Sequence, residues 1–406
     1  CESVGRRNPL ALVTSKVGEI RNTTHNEKIP MTNQNQYLIA SIIAGSLLMA
    51  GCQDKSSPSD TAATSIAASS VAAAPAPTPA DPELFINQPL VTDIYTADPS
   101  AQVFNGKIYV YPSHDIDTGI TTDGEGDKFD MKDYRVLSMD SVGGPVTVHD
   151  AALKLEDVPW ASRQLWAPDA AEKDGKFFLF FPAKNKEGIF QIGVATGDSP
   201  TGPFKAEPEP IKGSFSVDPA VFKDDDGAYY MYFGGIWGGQ LQRWASGTYT
   251  RDDKYPASNE PAFTPKIARM SDDLLQFAEA PKDIEIIDGG GVPLLGTDTN
   301  RRFFEAAWVH KFNGKYYLSY STGDTHYIAY AIGDTPYGPF TYKGIVLTPV
   351  LGWTNHHSIV QHDGKWYLFY HDTQLSGGQA HLRNVKVTEL LHNDDGTINT
   401  INSLRN

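Results

Sequence analysis

Cysteine is nearly absent. Cys1 and Cys52 are the only two in 406 residues. Both precede the repeating region, so the folded part has neither a disulfide framework nor a thiolate metal site. Positive charge is also short, with a net charge of -15. A nucleic-acid-binding domain needs a basic face to neutralise phosphates, which sets that partner class aside. No stretch sustains a 3.6-residue apolar period, so helices should be few and short. The one long apolar run, Tyr37 to Ala50, has 14 residues and is too short for a comfortable membrane span.

Glycine (36 residues), tyrosine and phenylalanine (19 each) are plentiful, as a fold of many short strands and turns requires. One phrase keeps returning. Phe104-Asn105-Gly106-Lys107-Ile108-Tyr109-Val110-Tyr111 has counterparts around Gly175, Gly227, Gly314 and Gly364. Each copy reads as strand, tight Asx-Gly turn, strand. Five copies separated by 69, 52, 87 and 50 residues predict an all-β fold with radial repetition, a five-bladed β-propeller. A second echo links Gln191–Phe204 with Ile328–Phe340, each a third strand followed by a turn containing Pro and Gly.

Ahead of the repeats, Met31 is a more natural start than Cys1, and residues 1–51 read as an upstream segment and signal peptide. Leu48-Met49-Ala50-Gly51-Cys52 resembles the lipobox of bacterial lipoproteins. That resemblance implies lipidation of Cys52, export, and a lipid anchor in the outer membrane. Residues 52–86 are rich in Ser, Ala and Pro, cannot bury enough apolar surface to fold, and read as an extended, disordered tether. The propeller domain is placed at 87–406. Within it, the insert Asp115 to Met131 carries six acidic residues and three glycines. It is either a rim loop over the site or a solvated surface loop. A calcium loop built from Asp115, Asp117, Asp123, Glu125 and Asp127 fits no EF-hand spacing.

Asp98, Asp169, Asp218 and Glu305 stand 8, 6, 9 and 9 residues before their turn glycines, and His356 and His357 stand 8 and 7 before the last. That offset is about one strand length, so these side chains should gather at one end of the blades' leading strands. Any one of the aspartates alone reads equally well as a turn residue. Together, converging carboxylates repel and raise the pKa of at least one. A protonated acid beside an ionised base is what acetal hydrolysis needs.

The phrases Thr96-Ala97-Asp98-Pro99-Ser100, Trp166-Ala167-Pro168-Asp169 and Phe304-Glu305-Ala306 occur in this order, the last followed by the Asn313-Gly314 hairpin. From Asn87 to Leu382 the chain thereby resembles glycoside hydrolase family 43. The resemblance implies Asp98 as general base, Glu305 as general acid, and Asp169 as the residue that orients the acid and raises its pKa. It also implies inversion at the anomeric carbon, with a base-to-acid separation of roughly 6.5–9.5 Å. It places His357 at a calcium ion in the central channel, bound directly or through water; the alternative is a hydrogen bond within the last blade. Arg383, in His381-Leu382-Arg383-Asn384, resembles a family arginine that holds a sugar hydroxyl or steadies a carboxylate, or it merely pairs with an acid on the final strand. Asp218 is a candidate for the polar floor. Trp166, Trp237 and Phe104 are candidate sugar-facing aromatics, with Trp237 open between a subsite platform and blade packing. The activity implied is exo-acting β-xylosidase on β-1,4-xylooligosaccharides. α-L-Arabinofuranosidase, alone or as a second activity, and endo-arabinanase are the alternatives. A lipid-anchored, non-catalytic glycan-binding propeller is the reading from another class.

Overall fold

Four of the five Asx-Gly pairs make two-residue turns with both residues left-handed: Asn105–Gly106 (φ 52° and 76°), Asp174–Gly175 (55° and 76°), Asn313–Gly314 (49° and 73°) and Asp363–Gly364 (48° and 76°). These are the turns whose twist matches the flanking strands. The third copy differs. Lys223 pairs with Tyr229, and in the longer loop between them the Gly227 N–H donates to the Asp224 carbonyl at 2.9 Å.

The computed structural model describes residues 77–121 and 125–405. The signal-peptide and Cys52 readings lie outside them, as does most of the tether. Five sheets radiate from a common axis. Their innermost strands are Tyr95–Phe104, Asp169–Lys173, Ala220–Lys223, Phe303–Phe312 and His357–His362, in blades I to V. Each pairs antiparallel with the strand after its turn. Each also packs against the innermost strands of the blades on either side, the fifth against the first. The chain is an all-β, five-bladed propeller. The helices among the described residues are 3-10 turns of three or four residues, and none is long and apolar enough to cross a membrane.

The second echo seats one blade on the next. Tyr111 of blade I donates its hydroxyl to the Pro200 carbonyl of blade II at 2.6 Å, and Tyr232 of blade III does the same to Pro336 of blade IV at 2.8 Å. The chain ends close the ring. The Leu90 N–H donates to the Val385 carbonyl at 2.8 Å, and the Ile401 N–H donates to Val346 at 2.8 Å. Packing reaches further toward the N-terminus than Asn87: Phe85 is 1% exposed, forms a bridge with Leu404, and lies 3.8 Å from the Lys386 ammonium.

Candidate active site

Three carboxyl-bearing residues sit where the innermost strands break their regular pairing. Asp98 has φ 47°, and the register shifts between Ala97 and Ser100. Asp218 has φ 59° two residues before its strand. Glu305 lies between two register shifts, and Ala306 beside it has φ 63°. Bulges bend a strand and re-aim its side chains, and a left-handed non-glycine residue costs about 1–3 kcal/mol. Here the re-aiming turns all three carboxyls into one cavity of about 400 Å³, a size suited to a small ligand.

The electrostatics set the three apart. Asp98 accepts from Ser113 Oγ at 2.7 Å and from Arg383 Nη1 at 2.7 Å. Burial works to raise its pKa, but Arg383, the nearby histidines and Ser113 outweigh it and hold the carboxyl at about 2. It is ionised. Glu305 stands at the opposite extreme. No described residue donates a hydrogen bond to its carboxyl, and burial together with Asp218 and Asp98 pushes its pKa well above the usual range. Gly235 leaves room for this side chain: a Cβ there would lie 3.2 Å from Glu305 Cβ. Asp218 accepts from the Ala306 N–H at 3.0 Å, and burial and Asp98 raise its pKa too. His356 lies 3.6 Å from Asp98 and 3.9 Å from Asp218; burial lowers its pKa to about 4, so it is neutral.

Asp169 does not belong to this group. It is 0% exposed and accepts from Ser100 Oγ, from Gln102 Nε2 at 2.8 Å, from the Val221 N–H and from its neighbour Ala170 at 2.7 Å. It joins blade II to blades I and III. Burial pushes its pKa up to about 6. The charges acting on Glu305 are those of Asp218, Asp98 and Arg383, so the carboxyl beside Glu305 is that of Asp218. Phe104 also falls away. It sits at the turn end of its strand, packed on Tyr109 and Phe177 at 6.0 and 5.4 Å, and does not line the cavity.

Trp166 and Trp237 do line it. Trp166 is fixed by its indole N–H donating to Phe129 at 2.7 Å. Trp237 is 39% exposed and stacks 5.6 Å from Trp353, itself 41% exposed. Of the three uses open to Arg383, carboxylate pairing is the one seen. Besides Asp98 it holds Asp115 through Nε and Nη2, both at 2.8 Å. Trp353, Phe129, Tyr255, Arg243 and His356 complete the wall. Of these, His356 is singled out by its offset from Gly364, and Trp353 carries a usable signal, since like Trp237 it adjoins a glycine in a loop.

The acidic insert is a rim element, with Gly126, Phe129 and Met131 lining the cavity. Several of its carboxylates pair with guanidinium groups rather than gathering around a cation. Glu125 takes both Nη atoms of Arg243 at 2.8 and 2.6 Å, and Asp127 pairs with Arg163 at 2.6 Å. Among the described residues no three His, Cys, Asp or Glu side chains group as metal ligands. His357 is 1% exposed. Its Nε2 is 2.6 Å from Ser319 Oγ, while its Nδ1 has no partner among the described residues.

A paired acid and base around a sugar-sized hollow is the equipment for cleaving a glycosidic bond, and comparisons with known proteins agree. Residues 89–398 match the model of glycosyl hydrolases family 43. A xylosidase/arabinosidase of Humicola insolens is 60% identical over 321 residues, covering 77% of this chain and 98% of the relative. A β-xylosidase/α-arabinofuranosidase from a compost metagenome, solved with xylotriose in a calcium-free form, is 66% identical; the match has a TM-score of 0.77 and covers 80% of this chain and 99% of that one. A Xanthomonas citri family 43 enzyme solved with xylotriose is 55% identical, with a TM-score of 0.76 and coverage of 79% and 94%. The chain belongs to glycosyl hydrolase family 43 and is a glycoside hydrolase.

Proposed function

We propose that the enzyme releases xylose from the ends of β-1,4-xylooligosaccharides with inversion at the anomeric carbon. The observation that carries this reading is the split within the cavity: Asp98 is held ionised by Arg383, while Glu305 is held protonated and free of hydrogen bonds from described residues. Asp98 takes a proton from water as the water oxygen bonds to C1. The C1–O bond breaks on the other face, and its electron pair leaves on the glycosidic oxygen, which takes the proton of Glu305. The xylose formed carries the water oxygen, and Asp98 and Glu305 then exchange protons with solvent to reset. Asp218 takes the role that the family resemblance implied for Asp169, since its charge acts on Glu305 and its own position is fixed by the backbone beside that residue.

End-wise attack is supported by the rim. The insert from blade I reaches blade II through Asp127–Arg163 and blade III through Glu125–Arg243, walling one side of the cavity beside Trp166. Trp237 and Trp353 supply aromatic faces on which a sugar ring can stack. α-L-Arabinofuranoside cleavage is the second reading. It is favoured by relatives described as acting in both ways and by the similar hydroxyls that xylopyranose and arabinofuranose present to one pocket.

Nitrophenyl β-D-xyloside and α-L-arabinofuranoside, assayed side by side, test the preference. A larger kcat/KM on the arabinoside would exchange the two readings. NMR of the first-formed sugar should show α-xylose from a β-xyloside, and β-xylose would rule out inversion.

The unpartnered Nδ1 of His357 fits a single imidazole ligand to an otherwise water-coordinated calcium ion. Bound there, the ion would add positive charge beside His357. Chelation should then lower Tm and calcium should restore it; an unchanged Tm would leave His357 bonded to Ser319 alone.

A further inference from the structure

His371 lies behind the cavity wall on the second strand of blade V, Lys365–Asp372, and does not line the cavity. It is 0% exposed. Its Nδ1 lies 3.0 Å from the backbone N–H of Asp98. An amide N–H can only donate, so Nδ1 must carry the lone pair and the ring proton must sit on Nε2. Nε2 has two acceptors in reach, the carbonyl oxygen and the hydroxyl of Thr354, each at 3.1 Å. Both ring nitrogens are satisfied in one tautomer and one ring orientation.

The residue this lone pair holds is the one whose backbone most needs holding. Asp98 has φ 47° at a break in pairing between Ala97 and Ser100, so its own N–H lacks a regular ladder partner across the hairpin. A left-handed residue persists only where its surroundings over-determine it. Ser113 and Arg383 fix the Asp98 carboxylate oxygens, and the imidazole fixes the peptide from which that side chain springs.

We propose that His371 is a positioning residue for the catalytic base, acting through the Asp98 peptide as a neutral hydrogen-bond acceptor. It does not line the cavity; besides the peptide N–H, its Nδ1 has carboxylate Oδ1 of the base at 3.3 Å. The inference rests on Asp98 being the base, and the experiment separates the two claims. Asparagine at position 371 can place an amide oxygen where Nδ1 now lies, whereas leucine has nearly the same size and shape and no acceptor. His371→Asn should keep kcat within about fivefold of the parent enzyme. His371→Leu should lose about 100-fold in kcat, the scale expected when a reacting group is displaced by an ångström, with KM changed less than twofold.

Equal losses in both variants, or full activity in the leucine variant, would overturn the acceptor role. A loss confined to KM would overturn it as well. A measurement on the unmodified enzyme guards against misfolded variants. In ¹⁵N-histidine NMR, the resonances missing from His371→Asn should report the Nε2–H tautomer throughout the active pH range. An Nδ1–H tautomer or an imidazolium would refute the proposal. Asp98→Asn, assayed alongside, examines the base itself. Appreciable turnover there would remove the base assignment, and the inference with it; an inactive Asp98→Asn with a fully active His371→Leu would remove the inference alone.

Discussion

Glu305 and Asp98 carry the same functional group in one cavity and hold opposite protonation states because their neighbours differ. Asp98 has a guanidinium at 2.7 Å, whereas Glu305 has burial and two further carboxyls. The sign of the pH dependence follows. With Asp98 as the proposed base, ionised above its lowered pKa of about 2, the acidic limb of kcat/KM should fall well below pH 4. With Glu305 as the proposed acid, activity should be lost as pH rises through its elevated pKa. Asp218→Asn removes a charge that raises that pKa, and the basic limb should move to lower pH. Asp169→Asn should leave the basic limb in place and lower Tm, because Asp169 holds strands together rather than acting on the acid. A limb that moves with Asp169 and ignores Asp218 would reverse the assignment. Glu305→Gln should cost about 10²–10⁴ in kcat, most severely for aryl xylosides with poor leaving groups; equal losses across the series would remove the acid role. Stability has its own sign. The lowered Asp98 pKa contributes stability that is present above the ordinary carboxylate value of 3.8 and is lost as pH falls toward about 2.

At the scale of elements, the leading strands of blades I and IV change character partway along. The turn half is regular ladder, while the other half carries bulges and the left-handed residues Asp98 and Ala306; in blade III the left-handed Asp218 stands two residues ahead of the strand. Hairpin periodicity located the carboxylates to within a strand length. It could not say which would face the cavity, because one bulge decides between inside and outside. Asp169 shows the limit. It stands only 6 residues before its turn glycine, and its proline precedes it where those of Asp98 and Asp218 follow; its strand pairs from Asp169 onward without a register shift and buries the carboxyl under hydrogen bonds. The rim insert was undecidable for a related reason, since its acids find their arginines on other blades. Arg243→Met should release Glu125 from blade III and loosen the wall beside Trp166. The expected result is a KM for aryl xylosides raised about tenfold with a smaller change in kcat, read from initial rates; an unchanged KM would make the pairing ornamental to the site.

Across the whole molecule, the ring is held shut by the chain ends rather than by a shared blade. Leu90 bonds to Val385, Ile401 bonds to Val346, and Phe85 covers the buried ion pair of Lys386 with Asp372. Phe85→Ala should therefore destabilise the whole propeller by about 3–5 kcal/mol, the range for truncating a buried aromatic, measured by denaturant unfolding. A loss below about 1 kcal/mol would mean that closure does not depend on this segment.

The sequence by itself determined the architecture and the neighbourhood of the site. An Asx-Gly turn flanked by alternating aromatics is a local instruction, and five such instructions define five blades. Tertiary structure alone decided which carboxyls share a cavity, which of them is paired with Arg383, and that His371 stands behind Asp98, 273 residues away along the chain. The reason is physical. Turns and strands are set by dihedral preferences within a few residues, whereas a pKa and a hydrogen-bond partner depend on distances that closure of the ring creates between segments far apart in the chain.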